Sequence, residues 1–375
     1  MAVTFLHSAD WQLGMLRRFL GPEAQARFGQ ARIDAIERIG RVATETDAAF
    51  VVVSGDVFEA NQVDRQIVRR AGEALRAITC PVFLLPGNHD SLEPGSVWTS
   101  PALTQALPSH VEVLTDARPR TPVPGVEVIG APWRSRRPEE DPVGEPAAAL
   151  PPPNDNLRVL VGHGRFDGLV PGVVDGELVD LDKVERAVKE RRVDYVALGD
   201  RHSVTSVGDT GRIWYAGTPE VTRPEEELPG QVLRVRLTDD SCDVQPIPIG
   251  TWRMHSHVVE VDDGEGLEAL ANWFGDQPDK ARTYVRLGVR GSLSVTGMAR
   301  LDMLVDAQDE VYAAVQRWPK RWDVTIRPDD LALDRLGVTG PSRAALDELR
   351  IATGNGDAEA ADALALFHRL VGGVA

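Results

Sequence analysis

The short apolar runs of this chain keep ending on the same kinds of residue, and that punctuation limits what it can fold into. Val3 to Leu6 stops at His7-Ser8-Ala9-Asp10-Trp11-Gln12, and Phe50-Val51-Val52-Val53 stops at Ser54 before Gly55-Asp56-Val57-Phe58-Glu59. Val82-Phe83-Leu84-Leu85 runs into Pro86-Gly87-Asn88-His89-Asp90. Leu157 to Val161 leads into Gly162-His163-Gly164, and Tyr195 to Leu198 into Gly199-Asp200-Arg201-His202. Short apolar runs bounded by such breakers read as buried strands. Ligands of α/β proteins gather beyond the carboxyl ends of strands, so these five segments can meet at one point.

The residue types in the five segments suit a metal ion. Four of the eight histidines, His7, His89, His163 and His202, fall within them beside aspartate, asparagine or glycine. Carboxylate and amide oxygens hold hard divalent cations, and imidazole suits manganese, iron or zinc. Glycine allows the sharp turn that aims a neighbouring side chain back at an ion. Singly, a Gly-Asp after a strand is a turn or a helix cap, and one histidine is more often structural than a ligand. As an ordered set they read as a metal site.

Helical periodicity separates the early strands. Glu23 to Thr46 carries Phe28, Ile33, Ile36, Ile39 and Val42 at helical spacing, and a second helix is expected around Arg65 to Ile78. Further strands fit Val126 to Gly130, Arg212 to Tyr215, Val232 to Leu237 and Val244 to Ile249, with Pro138 to Asn156 as a surface loop. The order predicts an α/β core of two packed sheets flanked by helices over residues 1–250. From Trp252 a small α/β cap is expected over 251–335. Its order is strand His257 to Val261, helix Gly266 to Phe274, strand Tyr284 to Val289, helix Met298 to Trp318 and strand Val324 to Ile326. Residues 336–375 read as a helical tail, with Leu364, Phe367, Leu370 and Val371 along one face.

Composition sets the boundary conditions. At 375 residues the chain exceeds one ordinary domain. No apolar run reaches the roughly 20 residues that span a bilayer, and the N-terminus lacks the pattern of a signal peptide. Cys80 and Cys242 are expected as reduced thiols, in a cytoplasmic protein without a membrane role. The net charge of −16 sets an acidic surface against phosphate backbones. A nucleic-acid substrate therefore needs local arginines, metal ions or a partner. Arg17 and Arg18 follow the first segment, Arg134, Arg136 and Arg137 form a basic run after Trp133, and Arg165, Arg201 and Arg223 flank the other segments. Dense exposed arginines are usually solvated surface, and placed here they also suit a track for phosphates.

In order, the segments resemble the signature of the calcineurin-like metallophosphoesterases: Asp-x-His, Gly-Asp, Gly-Asn-His-Asp or -Glu, Gly-His, and Gly-His-x-His. Phe5-Leu6-His7-Ser8-Ala9-Asp10-Trp11-Gln12-Leu13-Gly14, Gly55-Asp56-Val57-Phe58, Tyr215-Ala216-Gly217-Thr218-Pro219-Glu220 and Pro229-Gly230 are similar to SbcD-type nucleases over about the first 250 residues. The resemblance implies a four-layer sandwich and two divalent ions, manganese or else magnesium. Asp10, Asp56 and His202 would hold one ion, and Asp56, Asn88 and His163 the other. His89 would face the scissile phosphate, with Asp90 orienting its ring. Gln12 and Asp200 stand where the family has histidines. Both still offer ligand oxygens, which favours harder ions. Glu59, where relatives carry other polar groups, reads as a surface carboxylate at a helix start.

The function implied is a metal-dependent phosphodiesterase acting as a DNA exonuclease, with internal cleavage also within its reach. Such a subunit works in a homodimeric repair complex with an SbcC-like ATPase, whose coiled coil docks helices of the nuclease C-terminus. Leu364, Phe367 and Leu370 suit that docking or packing back onto the cap. Two other readings stay open. One is a small-molecule phosphoesterase acting on cyclic nucleotides or phosphomonoesters. The other is a weakly active or non-catalytic scaffold, with Gln12 and Asp200 marking a degraded site.

Overall fold

Parallel strands buried on both faces carry apolar residues with little polar alternation, and the first unit is built on such strands. The computed structural model describes residues 1–166, 178–327 and 336–372. The chain divides into two units, Met1–Arg17 with Gln25–Trp252 and Arg18–Ala24 with Arg253–Ala375. Strands of the first unit are β1 (Ala2–Ser8), β2 (Val51–Val53), β3 (Val82–Leu84), β4 (Val111–Val113), β5 (Val126–Gly130) and β6 (Leu157–His163). They continue with β7 (Arg165–Phe166), β8 (Leu178–Val179), β9 (Tyr195–Gly199), β10 (Thr205–Val207), β11 (Ile213–Tyr215), β12 (Gln231–Thr238) and β13 (Cys242–Pro248). One six-stranded sheet runs β13-β12-β1-β2-β3-β4, and a five-stranded sheet runs β10-β11-β9-β6-β5. β1 to β4 are parallel, as are β5, β6 and β9.

Successive residues of these strands serve different layers, because side chains alternate across a strand. Val52, Phe5 and Phe83 from the first sheet meet Val159, Val161, Tyr195 and Ala197 from the second. Aromatic rings line the seam: Phe5 stacks on Phe50 at 4.8 Å and meets Tyr195 edge-on at 5.4 Å. On the outer face of the first sheet, Val51 and Val53 pack on Ile33, Ile36 and Ile39 of the helix Pro22–Glu45 and on Val68 of Arg65–Leu75. On the outer face of the second, Leu160, Val196 and Leu198 pack on Val184 and Val188 of the helix Leu181–Lys189. The result is helix, sheet, sheet, helix, as the sequence implies.

The second unit has a parallel three-stranded sheet of β14 (Arg253–Val261), β15 (Thr283–Ser294) and β16 (Ala314–Arg327), with helices Glu265–Asp276 and Val295–Asp309 in the connections. The expected helix Met298 to Trp318 is corrected: it ends at Asp309, and Ala314 already pairs with Tyr284 as the first residue of a 14-residue strand. Ladder bonds to β15 override the apolar spacing that suggested a continuing helix. The tail divides into helices Pro341–Gly354 and Ala358–Gly372, broken at Asn355-Gly356, where Gly356 takes a φ of 87°. Leu364 packs back on Val295 and Leu346, with Phe367 beside them, whereas Leu370 is exposed. The boundary expected at 335 and the final residues 373–375 lie outside the described residues.

Other departures are local. The loop Pro138 to Asn156 contains a helical turn, Gly144–Ala148, started by the Asp141 side chain accepting the N–H groups of Val143 and Gly144. The structure adds the capped helices Pro101–Ala106 and Leu181–Lys189 and the edge strand β4. Both thiols are free.

One buried carboxylate closes the first unit. Glu220 is fully buried and accepts the backbone N–H groups of Thr251 and Trp252, each at 3.0 Å. It also pairs with Arg38 of the first helix. Its backbone carbonyl accepts from the buried Arg32, 3.2 Å away. Removing one partner of a buried ion pair leaves the others desolvated and unpaired, at a cost of about 3–5 kcal/mol. Glu220→Ala is expected to lower unfolding stability by that order, read from denaturant titration of the full chain.

Candidate metal centre

The loops that leave β1 and β2 are joined by backbone bonds before any side chain is considered. Asp10 N–H donates to the Gly55 carbonyl at 3.1 Å, Gln12 N–H to Asp56 at 2.8 Å and Leu13 N–H to Val57 at 2.9 Å. Eight non-glycine residues among those described have positive φ, and Asp10 (53°), Gln12 (44°), Asp56 (52°) and Asp200 (90°) are four of them. Such backbone costs roughly 1–3 kcal/mol per residue and persists only where the surroundings enforce it. Here it turns three carboxylates and an amide inward from the strand ends.

Glycines give the space this convergence needs. A Cβ on Gly199 would stand 1.9 Å from the Ser54 carbonyl and 2.8 Å from His163 Nδ1, and one on Gly87 would stand 2.3 Å from Asp56 Oδ1. His163 and Asp56 therefore lie directly against bare backbone. The Trp133 indole supports the same point from outside, donating to the His163 carbonyl at 2.6 Å.

The structure brings most of the expected site residues together. Asp10, Asp56 and His163, all buried, offer ligand atoms that lie within 4.8 Å of one another. His163 Nδ1–H donates to the Ser54 carbonyl at 2.8 Å, which turns Nε2 toward Asn88 Oδ1 at 3.1 Å, Asp56 Oδ1 at 3.4 Å and Asp200 Oδ1 at 3.8 Å. Asp200 N–H donates to Asp10 Oδ1 at 3.0 Å, and Gln12 Nε2 lies 3.2 Å from His202 Nε2. The far nitrogen of His202, Nδ1, faces Thr222 and Glu226. His7 stays behind the site as a neutral strut. Its Nδ1 accepts from Tyr195 at 3.0 Å and its Nε2–H donates to Leu198 at 3.2 Å, and burial drives its pKa down to about 3.

His89 and Asp90 require a correction. Both Asp90 oxygens are taken by backbone, Oδ1 by Gly87 N–H at 2.7 Å and Oδ2 by Phe58 N–H at 3.0 Å, so Asp90 does not orient the His89 ring. The Glu59 carbonyl does that, accepting Nδ1–H at 2.9 Å. His89 N–H donates to Asp56 Oδ1 at 3.0 Å, and its ring is 41% exposed over the cleft. Glu59 is not at a helix start either, since the next helix begins at Arg65; its side chain lines the cleft.

The cleft has a volume of 650 Å³ and is lined by Gln12, Arg17, Asp56, Asn88, His89, Asp200, Arg201 and His202, together with Glu59, Arg165, Arg223 and Glu225 to Glu227. Arg165 pairs with Asp200 at 3.1 Å and Arg201 donates to Thr205 at 2.7 Å. Arg134, Arg136 and Arg137 are exposed and do not line it; Arg134 reaches the Thr115 carbonyl at 3.3 Å and Arg136 the His89 carbonyl at 3.5 Å. Trp133, just ahead of that basic run, is buried. The supporting carbonyls of Ser54 and Glu59 and the side chains of Thr222 and Glu226 carry no signal in the sequence pattern.

The donor set fits a cation. Burial pushes the Asp10 carboxyl up to about 7, offset in part by His202 and His163. Burial opposes charge on His163 as well, yet Asp56, Asp10 and Asp200 raise it to about 10. Without metal, the imidazolium proton is what balances the buried acids. Gln12 Oε1 is buried and has no hydrogen-bond partner among the described residues, which leaves an amide oxygen for an ion.

Residues 3–204 match the family described as calcineurin-like phosphoesterase. The solved structure of the Thermus thermophilus protein TT1561 is similar over 66% of this chain and 99% of its own, at 11% identity and a TM-score of 0.41. That of a dimetal phosphatase from Danio rerio is similar over 65% and 95%, at 13% identity and a TM-score of 0.41. No curated protein gives a match.

Two outcomes are expected. Divalent metal must displace the His163 proton, since the raised pKa keeps that ring protonated at neutral pH. Calorimetry in buffers of different ionisation enthalpy should show net proton release, with affinity falling from about pH 8 to about pH 6. Gly199→Ala should displace His163, costing about 1–3 kcal/mol by overpacking and weakening metal binding, read by thermal unfolding with and without metal.

Proposed function

The chain belongs to the calcineurin-like phosphoesterase family, and from that premise we propose that it is a metal-dependent phosphodiesterase acting as a DNA exonuclease, able also to cut internally, in the manner of SbcD-type subunits. The observation that carries the hydrolase reading is the buried meeting of Asp10, Asp56 and His163, with the exposed His89 ring beside them. Two ions are proposed: Asp10, Asp56, Gln12 and His202 would hold one, and Asp56, Asn88, His163 and Asp200 the other. Oxygen donors at Gln12 and Asp200 favour manganese or magnesium over softer ions. Such ions, when bound, lower the pKa of water and neutralise charge on phosphoryl oxygens.

The protein's own groups supply the rest. His89 holds its Nδ1 proton on the Glu59 carbonyl, which leaves Nε2 to serve the cleft. Burial works against charge on that ring, but Asp56 and the Glu59 carbonyl raise its pKa, which favours the protonated ring that can pass its Nε2 proton to the leaving oxygen. Arg17, Arg201 and Arg223 at the cleft are proposed contacts for phosphates, with Arg134, Arg136 and Arg137 further out. The similarity to SbcD-type sequences also supports DNA as substrate, a coiled-coil ATPase partner, a homodimer and a cytoplasmic setting. For the ATPase, exposed Leu366, Leu370 and Val371 remain free of the packing that takes Leu364.

A second reading has its own support. Glu59, Glu225 and Glu227 line the cleft beside the arginines, and this acidic rim disfavours a long polyanion and favours a small phosphoester. Cleavage of end-labelled linear DNA against a chromogenic bis-ester, with manganese, magnesium or zinc, separates the two. Turnover of DNA with manganese or magnesium is expected. Activity with zinc alone, or on the bis-ester alone, would count against the nuclease reading.

Asp56→Asn should reduce activity to background while the circular-dichroism spectrum stays that of the folded protein, with a lowered thermal midpoint because His163 loses its buried partner. His89→Gln should lower kcat by about 10²–10⁴-fold and leave metal stoichiometry unchanged. An Asp56→Asn enzyme of normal activity would refute the shared carboxylate.

A further inference from the structure

His202 reaches the cleft with one nitrogen only. Nε2 faces Gln12, while Nδ1 points away, to Thr222 Oγ1 at 2.8 Å and Glu226 Oε1 at 3.0 Å. The imidazole is 9% exposed and the carboxylate behind it 4%. A carboxylate withdrawn from water to that degree is costly unless it is paired. Glu226 has such pairing independent of the ring. Its Oε2 accepts the Thr222 N–H at 2.8 Å, its Oε1 accepts the Thr222 hydroxyl, and the Arg223 guanidinium lies 3.7 Å away. The surrounding loop is pinned at both ends of the acidic run, by Glu227 N–H to Ser203 Oγ at 2.9 Å and Gly230 N–H to the Thr218 carbonyl at 2.8 Å.

We propose that Glu226 is a positioning residue for His202: it accepts a hydrogen bond from Nδ1–H, fixes the ring angle and tautomer, and leaves the Nε2 lone pair facing the cleft as a ligand for a divalent ion. The idea rests on the metal-centre reading. The Thr222 hydroxyl spends its own proton on Glu226, so the carboxylate is the strong acceptor for Nδ1–H. Gln12 Nε2 is a donor and sits against His202 Nε2, which agrees with a lone pair at that atom. A carboxylate on the far nitrogen makes an imidazole both more basic and less free to rotate, which strengthens its bond to a metal.

The test uses the full-length, metal-free protein titrated calorimetrically with Mn²⁺. Glu226→Gln, nearly isosteric, is expected to weaken binding of the ion at His202 by about 10–100-fold, and Thr222→Val by less. In a His202→Ala background, Glu226→Gln should cause no further loss, whereas a carboxylate that merely holds the loop would add its loss there too. A second readout requires no variant of Glu226 to fold. Histidine-labelled wild-type protein, with His202→Ala to identify the signal, should show the His202 ring protonated at Nδ1 in ¹⁵N spectra. Protonation at Nε2 alone, or Glu226→Gln binding as tightly as wild type, overturns the proposal. If the wild type binds no Mn²⁺ and Asp56→Asn changes nothing, the metal centre itself is refuted; binding that Asp56→Asn abolishes and Glu226→Gln spares refutes only the role of Glu226.

Discussion

Two carboxylates and an imidazole occupy one buried point in this protein, and none would be stable there without the others. Asp56 is held below the ordinary carboxylate range although burial works against it, because His163 and His89 lie against it. Asp10 lacks that immediate pairing and is pushed up instead. The surrounding architecture keeps these groups close despite their cost. Two sheets supply the strand ends, left-handed backbone at Asp10, Asp56 and Asp200 turns the chain inward, and glycine removes the atoms that would hold the groups apart. A cation is the species that relieves such an arrangement, with the bound proton of His163 as its substitute.

Much of this was legible in the sequence, because each chemistry-bearing residue sits within a few positions of a strand end. Asp10, Asp56, Asn88, His163, Asp200 and His202 were identifiable on that ground, and the fold followed from apolar runs too short and too uniform for helices. The supports were not legible. Ser54 and Glu59 act through backbone carbonyls, which carry no residue identity, so the orientation of His163 and His89 could not be read from letters. Asp90 adjoins His89 in sequence, yet a strand-end turn directs its oxygens to the N–H groups of Gly87 and Phe58. Glu226 belongs to an acidic run that looks like ordinary solvated surface, and only the folded loop withdraws one of its three acids from water. Trp318 has neighbours at helical spacing, yet it lies in a strand because pairing with β15 outweighs that local pattern.

The charge balance of the cleft bears directly on substrate. Arg17 is desolvated, which holds its guanidinium below the usual value, with Glu59 and Glu226 acting in the opposite sense. Arg165 is engaged by Asp200. An entering phosphate would have to compete with these carboxylates for the same guanidinium groups. Selectivity in such a cleft depends on which anion offers the better exchange, so charge alone does not rank the candidates.

Glu220 has a practical consequence for anyone dividing this protein into parts. The last strand of the first unit ends at Pro248, and a boundary drawn there would look natural. Yet Thr251 and Trp252 are bound by Glu220, and the Trp252 ring meets Phe28 at 5.0 Å. An excised fragment stopping at residue 250 would strip a buried acid of every donor but Arg38 and uncover an aromatic contact. The sound cut falls after Trp252, and solubility trials of isolated fragments should begin from that end point.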